Sequence, residues 1–238
     1  MFAHMIKSIR KSNTLYNPKI VKKTRWDILP NIFLFLAGLF CFTFIMINFF
    51  TYSYFIVKNS SMSPTLNTNP NGINDAVYVN RFAKIEVGDI IVIRNEQTSY
   101  SVIKRVIGLG GDKIGFITKV EDGEIIRKLV RIPKGLQTYY EINEDYLENP
   151  MVNEYAFEKF QNLVSKEDNV EIVEGIAFYV VGDNEIFYVG DNRTASFDCF
   201  NYGSVSENLL IGRVDVIIKE QKFFIVQYFL YLFGIKKI

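Results

Sequence analysis

The chain has 238 residues, enough for one large domain or for a domain with a smaller lobe. Its 27 Lys and Arg residues nearly balance its 26 Asp and Glu residues, which argues against a uniformly basic nucleic-acid-binding protein. The one histidine is His4 and the two cysteines are Cys41 and Cys199. A His/Cys zinc site and a catalytic triad with a histidine base are therefore close to excluded, and we expect no metal and no other cofactor.

A long uncharged run near the N-terminus predicts a membrane anchor. Residues 28–57 contain no charged side chain, and a bilayer core needs only about 20 helical residues, so we expect one transmembrane helix over 28–52 with an outer extension. The alternatives are a soluble core helix and a cleaved signal peptide, but the run is too long for the latter and no A-x-A site follows it. Residues 1–27 hold seven Lys or Arg and one acid, which predicts that this basic N-terminus lies in the cytoplasm and the remainder outside.

Beyond the anchor the pattern is typical of a β domain. Short runs rich in β-branched residues are bounded by glycine and aspartate turns, without the alternation of strands and helices that parallel sheets require. The predicted strands lie within 76–94 (two strands broken at Val87–Asp89), 100–107, 113–132 (a hairpin turning at Asp122 and Gly123), 176–181, 185–190 and 209–220. We therefore predict a mainly β fold: an antiparallel β-sheet domain made of 53–132 and 176–220, with a smaller elaborated lobe and one preceding transmembrane helix.

Two further segments differ from this pattern. Residues 133–175 are acidic, rich in Tyr and Asn and helical in part, which predicts a surface insertion. Residues 221–238 form an apolar tail, whose uncharged stretch of 13 residues, 223–235, is too short for an ordinary membrane span. We favour a helix at the membrane interface for this tail; a buried helix and a short second span are the alternatives.

Serine and lysine are the residues with which this chain can attack a carbonyl group. A serine is a weak nucleophile without a positioned base, and the part of the chain predicted to lie on the outer side of the membrane contains no histidine. A lysine can be that base when burial in apolar surroundings lowers its pKa. Lys104 stands in the run Val-Ile-Lys-Arg-Val-Ile, where strand alternation places Lys104 and Arg105 on opposite faces, so that one of them points inward. The alternative is a lysine that extends to solvent from a sheet edge.

Four short motifs occur in a fixed order behind the anchor. They are Ser61-Met62-Ser63-Pro64-Thr65-Leu66, Gly88-Asp89-Ile90, Lys104–Asp112 with its Lys-Arg and Gly-x-x-Gly-Asp elements, and Gly190–Asp198 followed by Gly203. Together they resemble the motifs of the bacterial type I signal peptidases, which are membrane-anchored Ser/Lys leader peptidases. The resemblance covers roughly residues 28–115 and 176–220.

The resemblance implies a serine endopeptidase that removes signal peptides from exported preproteins after small residues at −1 and −3. It implies that Ser61 is the nucleophile, that Lys104 is the general base and that Ser196 orients the Lys104 amine. Asn59 stands where part of the family has a serine that donates to the oxyanion, and its amide could do the same. The implied supporting residues are Asp191, Arg193 and Asp198, and the implied substrate-binding residues are Val57, Met62, Leu66, Val102 and Ile103.

The sequence departs from the family pattern at three positions. Ser60 and Gly110 stand where many members have Gly and Pro. Phe200 stands where many members have an Arg that pairs with the acid at Asp198, so we expect Asp198 to be solvated or paired elsewhere, for example with Arg193.

The expected partners are exported preproteins and a lipid bilayer, with no nucleic acid, and the oligomeric state is left open. The expected location is the cytoplasmic membrane of a bacterium, with the catalytic domain on the outer side. Ser61 follows the uncharged run by only four residues, which suits a substrate whose apolar segment lies in the same membrane. The alternatives are a Ser/Lys processing peptidase with a narrow client, an inactive homologue that binds a partner, and a self-cleaving repressor, which the uncharged run disfavours.

Overall fold

The computed structural model describes residues 25–67, 72–95, 100–121, 123–147 and 153–221. Most of the predicted cytoplasmic N-terminus and the apolar tail beyond Gln221 lie outside these residues. The chain divides into two compact units, of which the first ends at Asn48 and the second begins at Phe49.

The described residues of the first unit form the larger part of an apolar helix. Helix α1 (Arg25–Thr51) contains the candidate membrane span Ile28–Thr51, whose 24 residues form a helix about 36 Å long at 1.5 Å per residue. That length is sufficient for a hydrocarbon core of about 30 Å. Its large apolar side chains, such as Phe33 and Phe40, are exposed, as expected for a lipid-facing helix and not for a soluble core helix. The outer part of the predicted uncharged run is a strand that starts at Tyr52.

The second unit contains, in its described residues, two antiparallel sheets built from twelve strands. The strands are β1 (Tyr52–Ile56), β2 (Ala76–Asn80), β3 (Ile90–Arg94), β4 (Ser101–Leu109), β5 (Lys113–Glu121), β6 (Glu124–Ile132), β7 (Tyr140–Glu141), β8 (Val170–Val173), β9 (Ile176–Val180), β10 (Glu185–Val189), β11 (Val205–Ser206) and β12 (Leu210–Ile218). The larger sheet has the order β1-β2-β12-β3-β4-β10-β11, and the smaller sheet has the order β7-β6-β5-β9-β8. All pairs are antiparallel, which confirms the predicted fold class.

The strands form where β-branched residues can be buried on both faces. In β3 the three residues Ile91, Val92 and Ile93 are fully buried, because this strand lies inside the larger sheet between β12 and β4. The predicted hairpin is present, with Lys113 opposite Ile132 and Glu121 opposite Glu124. Strands β9 and β10 follow one another in sequence but belong to different sheets, so the short connection between them joins the two sheets.

Part of the predicted surface insertion is buried in the core. Helix α2 (Asn153–Val164) buries Ala156, Phe160 and Leu163, which recur at the spacing of one helical face. The Phe160 ring packs against Phe116 of β5 and against Phe200 of the short helix α3 (Cys199–Tyr202). This segment therefore belongs to the main core, and a description as surface alone is wrong.

Candidate active site

The segment that connects β1 to β2 holds Ser61 on a tightly anchored turn. Met62 and Leu66 are fully buried, and the Leu66 N–H donates to the Met62 carbonyl at 2.8 Å. Asn67 closes the turn with a left-handed backbone (φ 53°), which asparagine tolerates better than most residues. Its amide donates to the Val57 carbonyl at 2.6 Å, and its carbonyl oxygen accepts from the Asp75 N–H at 2.7 Å. Both ends of the turn are thereby fixed while Ser61 stays half-buried.

Lys104 lies on β4 with its amine at the serine. Its Nζ is 2.8 Å from Ser61 Oγ and 3.0 Å from the Ile103 carbonyl oxygen, and the residue is 4% exposed. Burial lowers the pKa of Lys104, although the negative charges of Asp198 and Asp191 oppose this shift. The inward orientation of Lys104 that strand alternation allowed is therefore confirmed, and the amine is in reach of the serine proton.

Arg105, on the opposite face of β4, forms a buried ion pair. Its Nε and a terminal nitrogen donate to the two carboxylate oxygens of Asp191 at 2.8 and 2.7 Å, and Asp191 also accepts from the Thr65 hydroxyl. The guanidinium carbon lies 3.9 Å from the centre of the Tyr146 ring. Bidentate pairs of this kind fix geometry as well as charge, so the ion pair ties β4 to the loop that follows β10, and the Thr65 hydroxyl ties the turn that holds Ser61 to the same carboxylate.

That loop, residues 190–198, directly contacts the turn that holds Ser61. The Asn192 N–H donates to the Ser61 carbonyl at 3.0 Å, and the Asn192 side chain donates to the Ser60 carbonyl at 3.2 Å. A Cβ placed on Gly190 would lie 2.5 Å from the Ser61 carbonyl oxygen and 2.2 Å from Ser196 Oγ. Only glycine leaves room for this approach.

Ser196 lies in this loop but does not form the expected hydrogen bond. The residue is 4% exposed, and its Oγ has no hydrogen-bond partner among the described residues. The predicted bond to the Lys104 amine is thus not present among the described residues, where Lys104 Nζ donates to Ser61 Oγ and to the Ile103 carbonyl. Ser196 Oγ is therefore a buried hydroxyl close to Gly190 with an unused hydrogen-bonding capacity.

Asp198 is not solvated, and among the described residues it is paired with backbone N–H groups and not with Arg193. It is 1% exposed and caps helix α3, accepting from the Phe200 N–H at 3.2 Å and from the Gly190 N–H at 2.9 Å. Phe200 packs in an aromatic cluster with Phe116, at 5.6 Å between ring centres. Backbone donors therefore satisfy the carboxylate, and an arginine partner at position 200 is not needed.

Arg193 is held instead by residues of the segment predicted as an insertion. Its fully buried guanidinium pairs with Glu144 at 2.5 Å and donates to Asn153 Oδ1 at 2.8 Å and to the Tyr146 hydroxyl at 3.1 Å. On α2, the Lys159 amine donates to carbonyl oxygens of the 190–198 loop. Sequence reasoning missed these residues, because nothing local in the acidic segment shows that it reaches the site.

The remaining predicted site residues fall into two groups. Asn59 is exposed, and its carbonyl accepts from the Asn67 amide at 3.3 Å. The five predicted substrate-binding residues are apolar. Four of them pack in one hydrophobic cluster, namely Val57, Met62, Leu66 and half-buried Ile103. The fifth, Val102, packs against a different cluster. Three of those four are at most 5% exposed, so they lie beneath the surface next to the serine.

The described residues contain no group of three or more His, Cys, Asp or Glu side chains that could hold a metal ion. Cys199 is buried, and burial raises the pKa of its thiol well above the ordinary value. A protonated thiol of this kind is a poor nucleophile and a poor ligand. At this site, the Ser61 hydroxyl and the Lys104 amine contact each other at hydrogen-bond distance.

A serine hydroxyl beside a buried lysine amine, in a chain with an apolar helix, is typical of membrane peptidases that use no histidine. The family model for signal peptidase, peptidase S26, matches residues 29–219. The chain belongs to this family, which confirms the resemblance deduced from the motifs. It is a membrane peptidase of the signal-peptide-cleaving class.

Individual relatives of this chain support the same family assignment. Signal peptidase I U of Bacillus subtilis (strain 168) is 30% identical over 171 residues, covering 70% of this chain and 75% of the relative. Signal peptidase I of Buchnera aphidicola subsp. Schizaphis graminum is 25% identical over 269 residues, covering 89% and 81%. A solved signal peptidase I from Enterococcus faecalis V583 is 21% identical, with a TM-score of 0.33, and covers 55% of this chain and 97% of its own. The fold assignment rests on the strand pairing described above and not on this superposition.

Proposed function

We propose that Ser61 and Lys104 form the catalytic dyad of this peptidase. The observation that supports this is the 2.8 Å contact between Lys104 Nζ and Ser61 Oγ, made by an amine that is almost fully buried. Because burial lowers the pKa of Lys104, a larger fraction of the amine is neutral near pH 7 than for an exposed lysine. A neutral amine can accept the serine proton, which an ammonium cannot.

The reaction then follows the acyl-enzyme route. Lys104 takes the proton of Ser61 as the hydroxyl oxygen attacks the carbonyl carbon of the scissile peptide. The ammonium returns that proton to the leaving amine, and the new N-terminus of the mature protein departs. The signal peptide stays as an ester on Ser61 until a water molecule, deprotonated by Lys104, hydrolyses it.

Two donors are available for the oxyanion of the tetrahedral intermediate. Among the described residues, the Ser61 N–H donates to no backbone carbonyl, so it is available for the substrate. The exposed Asn59 amide is the second candidate donor, and Asn67 fixes the Asn59 backbone. A donor of this kind contributes about 10²–10³-fold to kcat in enzymes where it has been removed.

The proposed substrates are exported preproteins with small residues at −1 and −3. Val102 and Ile103 are half-buried next to Lys104, and Val57, Met62 and Leu66 form the apolar layer under Ser61, which favours small side chains there. Asp191, Arg193 and Asp198 would support the loop that faces the dyad. The basic N-terminus supports a location in a bacterial cytoplasmic membrane with the catalytic unit outside.

The test compares the wild-type chain with Ser61→Ala and Lys104→Ala in liposomes. The substrate is a preprotein with an A-x-A site, and mass spectrometry identifies the released peptides. We expect cleavage after the −1 alanine by the wild type and none by either variant. The matched controls are Ser60→Ala and Lys84→Ala, two exposed residues whose side chains are outside the proposed machinery; both should cleave like the wild type.

Other outcomes distinguish the alternatives. A folded wild-type chain that cleaves no generic preprotein would favour the peptidase with a narrow client or the inactive homologue. Cleavage by Lys104→Ala at the wild-type rate would refute Lys104 as the base while leaving the enzyme class intact.

A further inference from the structure

Helix α2 binds the backbone of the loop that carries Ser196. The Lys159 amine donates to the carbonyl oxygen of Arg193 at 3.0 Å and to that of Ser196 itself at 2.8 Å. Lys159 is half-buried, one helical turn from the core residue Ala156 and next to Phe160. Its position is therefore fixed by the packing of α2 and not by the loop.

The same part of the chain also holds the loop through a side chain. Glu144, Tyr146 and Asn153 surround the buried Arg193 guanidinium. The loop is therefore bound through its backbone by Lys159 and through the Arg193 side chain by Glu144, Tyr146 and Asn153, which lie in residues 144–147 and 153–164. We call these residues the bracket.

On its other side, the loop contacts the proposed nucleophile. Asn192 donates to the Ser61 carbonyl, and Gly190 packs without spare room between that carbonyl and Ser196 Oγ. A shift of the loop would therefore move both Ser61 and Ser196 relative to Lys104. Interiors at this packing density transmit such shifts.

We propose that Lys159 is a positioning residue for catalysis, through which the bracket sets Ser196 and Ser61 against the Lys104 amine. This inference rests on the proposed function of the dyad. Ser196 Oγ is buried and has no hydrogen-bond partner in the part of the chain that the structure describes, so its location follows from the backbone that Lys159 holds. A displacement on the order of 1 Å at reacting groups costs on the order of 100-fold in rate.

The central variant is Lys159→Met in the full chain, which keeps the apolar stem and removes the donor. We expect kcat to fall on the order of 10- to 100-fold, with KM within about twofold because Lys159 touches no substrate in this scheme. We also expect the midpoint of the pH profile of kcat/KM to shift, since the surroundings of Lys104 change. Lys159→Arg, which restores a cationic donor, should recover most of kcat, and Lys166→Met, in the exposed turn that follows the same helix, should match the wild type.

Three outcomes overturn the inference. Lys159→Met could cleave with wild-type kcat and an unchanged pH profile. Lys159→Met could also lose activity only in proportion to the fraction of molecules that active-site titration counts as competent, which is the result expected of a purely structural role. If Lys159→Met does not fold, Lys159→Gln replaces it, and a folded Lys159→Gln chain with wild-type kcat overturns the inference. A folded Lys159→Arg chain whose kcat is no higher than that of the Met or Gln variant also overturns it. Failure of the dyad is distinguishable, because it appears as an inactive wild type or an active Ser61→Ala whatever Lys159 does.

Discussion

Gly190→Ala tests whether the nucleophile and the 190–198 loop are packed as closely as the structure indicates. The new Cβ would lie 2.5 Å from the Ser61 carbonyl oxygen, and ordinary contact begins at 3.4 Å, so the carbonyl must move by about 0.9 Å. Ser196 Oγ must move by more, because it starts at 2.2 Å. The first of these atoms belongs to the backbone and cannot rotate away.

The expected result is a large loss of activity with a modest loss of stability. A shift of this size at the reacting serine costs on the order of 100-fold in kcat/KM, whereas overpacking costs about 1–3 kcal/mol, or roughly 2–4 °C of Tm per kcal/mol in a chain of this size. Preprotein cleavage and thermal unfolding in detergent measure the two quantities. The matched control is Gly182→Ala, whose Cβ has atoms of the Glu185 side chain as its three nearest neighbours. Wild-type cleavage by a folded Gly190→Ala chain would refute the close approach.

Three further changes probe the charges and the core around the dyad. Lys104→Met should abolish cleavage yet stabilise the chain at pH 7. Because burial lowers the pKa of Lys104, the stability of the wild type rises with pH. In unfolding measured as a function of pH, the stability advantage of Lys104→Met should therefore shrink as pH rises and disappear above about 10.4. Arg105→Gln should move the midpoint of the kcat/KM pH profile upward, whereas Arg131→Gln, which breaks an ion pair in the smaller sheet, should not. Phe200→Arg should lower stability by at least about 3–5 kcal/mol, since the ring is 1% exposed, and Phe197→Arg, at a position 67% exposed, should be nearly neutral in denaturant titrations.

The parts of the site that sequence predicted depend on short-range rules. Alternation along a strand separated Lys104 from Arg105, and the sheet then buried the lysine between β3 and β10. The uncharged run likewise implied α1, since length and composition are sufficient for that inference. The strands around the glycine and aspartate turns were found for the same reason, namely that periodicity and turn residues act locally.

The parts that sequence missed depend on long-range contacts. Glu144 and Asn153 contact Arg193 from 49 and 40 positions away along the chain, so no local pattern reveals the pairing. The segment that contains α2 was predicted as a surface insertion, although Lys159 on this helix donates to a carbonyl oxygen of the 190–198 loop. Similarly, Asp198 lost its expected arginine without losing its partners, because a helix N-terminus and the Gly190 N–H replaced them. A motif predicts which groups are present, but the partners that satisfy them depend on the tertiary fold.

The balance of charge around Lys104 shows why these partners matter for the chemistry. Asp191 and Asp198 both lie close enough to favour an ammonium, which would make Lys104 useless as a base. Asp191 is neutralised by the bidentate contact with Arg105, and the Asp198 carboxylate is stabilised by two backbone N–H groups. Burial is therefore the dominant influence on the lysine, and its pKa is lowered although two carboxylates are near. In the proposed mechanism, activity depends on this balance, because Lys104 can act as the base only while its amine is uncharged.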